Sequence, residues 1–149
     1  MESLLHIPSI AQVIQLAVAP VFLLTGVSAT LNVFATRIGR IIDRARVMED
    51  QLTRAAPEIA TEIHSRLQVL SKRATLVHRA IGLSVTSGIL VSLVVAALFV
   101  SAVLQIDLAL PIAVAFVTAL LSLASGLIYF LREVILATQS LRFGGARKA

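Results

Sequence analysis

Between Arg37 and Ile81 the chain reads RIGRIIDRARVMEDQLTRAAPEIATEIHSRLQVLSKRATLVHRAI, and the order of apolar residues in this stretch decides the fold. Ile38, Ile41, Ala45, Met48 and Leu52 recur at spacings of three and four, which places them on one seam of an α-helix. Ala55-Ala56-Pro57 interrupts the pattern, because proline disfavours helical backbone for the residue before it and suits the first position of a new helix. The seam then resumes as Ile63, Leu67, Leu70, Ala74, Val77 and Ile81. Folding the two arms at the turn sets Leu52 against Ile63, Met48 against Leu67, Ala45 against Leu70, Ile41 against Ala74, and Ile38 against Val77. The register is constant, and the small Ala45 and Ala74 face larger partners, as interdigitated packing prefers. The spacing predicts an antiparallel coiled-coil hairpin over residues 37–79 with its turn at 55–57. Two helices lying flat on a membrane are the alternative and fit the register less well.

On either side of this block charge disappears. All 13 Lys and Arg residues lie between Arg37 and Arg79 or beyond Leu131. Gln12–Thr36, Ala80–Ile106 and Leu108–Leu131 are uncharged, and each exceeds the roughly 20 helical residues needed to cross a hydrocarbon core. Hydrophobic residues make up 58% of the chain, charged residues 14%, and the mean hydropathy is +0.94, which excludes a soluble domain of this size. The expected fold is an all-α integral membrane protein with transmembrane helices at 10–36, 80–106 and 108–131. The first apolar stretch lacks a basic leader and exceeds a signal-peptide core of roughly 7 to 15 residues, so it reads as a retained anchor. The positive-inside rule sets residues 1–9 outside and puts both the 37–79 hairpin and the C-terminal helix and tail, 132–149, in the cytoplasm. In the tail, Val134, Ile135, Thr138 and Leu141 suggest a further amphipathic helical piece, which could pack along the hairpin stalk. Asp107 and Pro111 suit the start of the third helix as cap and first-turn residue.

The chain has no cysteine, so disulfides and thiolate metal sites are excluded. Its net charge of +5 sits beside membrane ends, which points to anionic membrane lipids rather than nucleic acid. His6, His64 and His78 lack metal-ligand spacing, no carboxylate lies within a span to relay protons, and the glycines form no phosphate loop. No catalytic set, metal site or cofactor site is therefore expected, and the chain is not read as an enzyme.

Three sets of residues remain as candidates. Ala80, Ser84, Gly88, Ser92 and Ala96 form a small-residue stripe on the second span, with Thr118, Ser122 and Gly126 as a shorter version on the third. Close helix packing is their ordinary meaning in lipid. The first span carries Gln12, Gln15, Thr25, Ser28, Asn32 and Thr36, of which the last four share one helical face. Interhelical hydrogen bonding is the simpler reading, and a stripe facing a pore is the functional one. Arg37, Arg40, Arg44, Arg46, Arg66 and Arg73 give the cytoplasmic hairpin a basic surface. There Arg44 and Arg73 are expected to repel across the seam, and Glu49 and His64 to pair.

The run from Ile10 to Gly26 (IAQVIQLAVAPVFLLTG), then Leu31-Asn32-Val33 and Arg37 to Arg46 (RIGRIIDRAR), resembles the bacterial membrane family catalogued as domain of unknown function 2721, as does the segment from Lys72-Arg73-Ala74 to Ala80-Ile81. The resemblance implies a small three-span bacterial membrane protein and supplies no activity, and the charge pattern places the chain in the inner (cytoplasmic) membrane. The resemblance falls on Gln12, Gln15, Pro20, Asn32 and the arginine block without assigning them a role. Two functions fit the residues. One is a self-associating, homo-oligomeric membrane protein with an ion pathway lined by the first helix. The other is a scaffold or accessory subunit whose basic stalk docks a cytoplasmic protein partner through Arg44, Arg66 and Arg73.

Overall fold

The structure is a computed structural model that describes residues 10–142. Expectations for the segment 1–9, including His6, and for the tail beyond Arg142 lie outside these residues. Three helices account for nearly all of the described chain: α1 (Ile10–Leu52), α2 (Pro57–Leu104) and α3 (Ala109–Arg142). All three are long and apolar enough to cross a membrane, and the protein is an all-α, multi-pass membrane protein.

The connections are short and locally determined. At the end of α1 the amides of Thr53, Arg54 and Ala55 donate to Glu49, Gln51 and Leu52, while the Thr53 hydroxyl donates to the Asp50 carbonyl at 2.7 Å. Pro57 opens α2, where its missing N–H costs nothing, and the Ala56 carbonyl accepts from the amides of Ile59 and Ala60, both at 3.0 Å. Past α2 the backbone turns at Gln105, whose φ of 54° is left-handed. Asp107 then accepts the Ala109 amide at 3.0 Å, satisfying one of the free donors at the start of α3.

The chain divides into two compact units, each built from a part of every helix. The first comprises residues 1–31 and 83–124. Asp107 is the only charged residue among its described positions. Val13, Ala17, Val27, Val91, Val94 and Ala119 are buried, as are Ser84 and Ser87, whose hydroxyls have no hydrogen-bond partner among the described residues. Within the small-residue stripe, a methyl group built on Gly88 would meet Val27 Cγ1 of α1 at 3.5 Å. Ser122 of α3 donates across to the Leu83 carbonyl of α2 at 2.8 Å. Phe22, Val103 and Leu110 are each more than 70% exposed, an outer surface that lipid tolerates and water does not.

The second unit comprises residues 32–82 and 125–149, and holds every Lys and Arg of the chain. Its core gathers Phe34, Ile41, Leu70, Val77 and Ala80, with Ile38, Ala45, Met48, Ala74 and Ile81 packed against them. Eight of these, Ile38, Ile41, Ala45, Met48, Leu70, Ala74, Val77 and Ile81, are seam residues of the sequence, and Phe34, Ala80 and, from α3, Tyr129 and Phe130 join the same cluster. The core is thus shared by three helices, and α3 enters it through Tyr129 and Phe130, where packing along the stalk was expected from Val134, Ile135, Thr138 and Leu141. The helical piece beyond Leu131 is the end of one continuous α3, since no Gly or Pro interrupts the chain between Leu131 and Thr138. The inward face of that segment differs from the expected one. Ile135 is exposed and Glu133 is buried.

Close packing at Gly88 gives a size-dependent expectation. Gly88→Ala adds an ordinary van der Waals contact and should leave thermal unfolding of the detergent-solubilised protein unchanged or slightly raised. Gly88→Leu should force α1 from α2 and destabilise by about 1–3 kcal/mol. Equal behaviour of the two variants would contradict the packing.

Candidate functional site

A carboxylate removed from water is costly unless its oxygens find cationic donors. Glu133 of α3 has no exposed surface, and both its oxygens are engaged. Arg37 of α1 donates through Nε to Oε2 at 3.1 Å. Arg73 of α2 donates to Oε1 through Nε at 2.9 Å and Nη2 at 2.8 Å. One residue of α3 is therefore held by one arginine from each of the other helices. The Arg73 side chain is 12% exposed and that of Arg37 35%.

Aromatic rings brace the cations. The guanidinium of Arg37 lies 6.0 Å from the centroid of Phe130, one turn before Glu133. Phe130 packs on the buried Phe34 of α1, with centroids 4.6 Å apart and planes tilted by 37°. Arg79 lies 5.8 Å from the Tyr129 ring. Such contacts favour a cation near the ring face and fix the direction of its long side chain.

Beside the triad opens a cleft of about 360 Å³ lined by Arg37, Arg40, Ile41, Asp43, Arg44, Leu70 and Arg73. Arg40 and Arg44 are exposed and have no ion pair among the described residues. Four of the six arginines expected to form a basic surface thus converge on one cleft. Arg46 and Arg66 are not part of it, and Arg66 pairs with Glu62 on its own helix at 2.7 Å. Arg73 is paired with Glu133 while lining the same cleft as Arg44, which has no such partner among the described residues. Glu49 and His64 share a second groove of about 330 Å³, with no ion pair between them.

The small-residue stripe splits along its length. Ala80 and Ser84 are buried and Gly88 half-buried, whereas Ser92 and Ala96 are exposed. On the third span Gly126 is buried, Ser122 bonds to α2, and Thr118 is exposed. Gln12, Gln15, Thr25, Ser28, Asn32 and Thr36 are all exposed. The Thr36 hydroxyl donates to the Asn32 carbonyl of its own helix at 2.9 Å, and the Asn32 amide group has no hydrogen bond among the described residues. The expected hydrogen bonds from the Thr25 to Thr36 face to another helix of this chain are absent among the described residues. No cluster of three His, Cys, Asp or Glu that could hold a metal occurs among them either.

Sequence reasoning missed Glu133, although a signal was present. It is the only acidic residue after Asp107 and follows directly on an apolar span. Counting it among the cytoplasmic charges hid its position on the face of Gly126 and Phe130, where spacings of four and three put it toward the core.

Loss of one triad member should be far more damaging than loss of all three. Glu133→Ala leaves two partly buried guanidiniums unpaired, and should lower stability by about 3–5 kcal/mol. The combined variant Arg37→Met, Arg73→Met and Glu133→Leu should recover most of that loss in thermal unfolding. A triple variant no more stable than Glu133→Ala would show that the ion pairs are not the source of the effect.

No curated protein and no solved structure matches the chain. The family described as Protein of unknown function (DUF2721) matches residues 17–143, a range that takes in Asn32, the arginine block and Glu133 and leaves out Gln12 and Gln15. The chain belongs to the DUF2721 family of membrane proteins.

Proposed function

We propose that this is a non-enzymatic, homo-oligomeric protein of the bacterial inner membrane, in which the polar face of α1 meets neighbouring copies and lines an ion pathway. The observation that carries the reading is the exposure of Asn32. On α1, Asn32 lies about 160° around the helix from the buried Phe34, at 100° per residue. Ser28, also exposed, lies about 100° from the buried Val27. An amide turned toward hydrocarbon costs roughly 2–7 kcal/mol unless it finds a polar partner. A second copy, or water along a shared axis, supplies that partner.

The topology follows from charge. Residues 1–9 lie outside, and residues 37–79 together with those beyond Leu131, which hold every Lys and Arg, lie on the cytoplasmic side. There the seam of α1 and α2 continues as an antiparallel coiled-coil hairpin. Exposed arginines at the inner mouth favour anions, with Asp43 opposing them.

A scaffold reading retains one observation in its favour, the exposed and unpaired Arg44. The two other arginines on which it depended, Arg66 and Arg73, are engaged with Glu62 and Glu133.

The absence of native cysteine allows a direct test. Single cysteines at Ser28, Asn32 or Thr36 should form crosslinked dimers in native membranes under a membrane-permeant oxidant, and Val27→Cys should not. Liposomes carrying the protein should pass anions, and Asn32→Leu should reduce that flux at least several-fold. A monomer in mild detergent with no crosslink at Asn32 would overturn the oligomer. Crosslinking without flux would overturn the pathway alone.

A further inference from the structure

We infer that the arginine cleft of the second unit is a binding site for a phosphate group, carried by a lipid headgroup or by a free phosphate ion. The argument starts from unspent charge. Arg37, Arg40, Arg44 and Arg73 line the cleft, and the carboxylates in or beside it are Asp43 and the buried Glu133, which leaves two positive charges in excess. Basic side chains on a solvated surface normally diverge. These four converge from two helices on one cavity of about 360 Å³.

The donors are also preorganised. Glu133 engages Arg37 through Nε alone, and Arg73 through Nε and Nη2. Both terminal nitrogens of Arg37 and Nη1 of Arg73 are left without a hydrogen bond to Glu133. Because the anchoring carboxylate is buried and Arg37 is further held near Phe130, these groups lose little freedom when they bind a ligand. Arg40 and Arg44 add two more planar forks with no ion pair among the described residues. Guanidinium forks match the oxygen spacing of phosphate and bind it through paired, charge-assisted hydrogen bonds.

Size and location agree with this chemistry. A water molecule's share of liquid volume is about 30 Å³, so the cleft admits a phosphate together with several waters. Ile41 and Leu70 give it apolar wall, which lowers the local dielectric and strengthens each contact. Arg37 is the first charge after the uncharged stretch Gln12–Thr36, the level at which headgroup phosphates are found. The site depends on one protomer only and is independent of the oligomer proposed above.

The experiment is calorimetric titration of the detergent-solubilised full-length protein at ionic strength fixed with chloride. One arm uses inorganic phosphate, a second short-chain phosphatidylglycerol below its micellar concentration. Saturable binding is expected in at least one arm. Phosphate alone identifies a free-ion site, and phosphatidylglycerol at least tenfold tighter than phosphate identifies a headgroup site. Arg40→Gln with Arg44→Gln, both exposed and outside the triad, should weaken that ligand at least tenfold while leaving thermal unfolding unchanged. Asp43→Asn should tighten it several-fold, and Arg46→Gln with Arg66→Gln should have no effect. Absence of binding in both arms, or equal loss with the Arg46 and Arg66 control, would overturn the site.

Discussion

The second unit depends on one constraint: Glu133 is buried, and its charge must be met by cations from other helices. Apolar seams do not by themselves fix register. A helix that slides by one turn, about 5.4 Å, moves each seam residue onto another of similar kind and loses little burial. Hydrogen bonds of 2.8 to 3.1 Å do not survive such a slide. Arg37, Arg73 and Glu133 therefore select one axial position and one rotation for α1, α2 and α3 in this unit. The triad acts on specificity more than on net stability, because desolvation of three charges offsets much of their attraction.

Periodicity and charge made much of the fold legible. The three apolar spans were visible because crossing a bilayer demands length without charge, a requirement satisfied locally in sequence. The seam from Ile38 to Ile81 was visible because its residues repeat on one helical face, and eight of its eleven residues enter one core cluster, Leu52, Ile63 and Leu67 lying outside it. What those patterns could not supply was which residues of the third helix enter that core. The contacts of Glu133 span 96 residues to Arg37 and 60 to Arg73, with no periodic relation between the partners. The rule that apolar residues turn inward then misled twice. It pointed Ile135 toward the core and left Glu133 in the solvated tail, whereas the arginines on α1 and α2 had already made the inward position a polar one.

Polar residues in the first unit and along α1 divide by whether their needs are met at home. Thr30 donates to Gly26 at 2.8 Å, Ser92 to Gly88 at 2.9 Å, and Thr118 to Val114 at 2.7 Å, each on its own helix. A hydroxyl satisfied this way can face lipid at small cost, so its presence in a span says little about partners. Ser84 and Ser87 make the opposite case: they are fully buried without a hydrogen bond among the described residues, so the small size that brings helices together outweighs their polarity there. Asn32 fits neither class. Its amide is too large to be chosen for close approach and has two kinds of polar group to satisfy, yet it is exposed. That combination, rather than the number of polar residues on α1, directs attention to its face.

The same arginines can serve both the fold and a ligand because of the shape of the guanidinium. Lysine would meet Glu133 with a point charge whose donors rotate freely around one nitrogen. Arginine spends one edge of a rigid plane on the carboxylate and keeps another for a second anion, as Arg37 does with Nε bound and two nitrogens remaining. Had the cleft only to attract lipid in a diffuse way, scattered lysines would suffice, since that attraction depends on charge and distance rather than on direction. Lys72, the one lysine in the second unit's α1 and α2 segments, is exposed and does not line the cleft. Residues with directional donors are thus concentrated where a buried carboxylate fixes their orientation, and the pointlike cation is left outside.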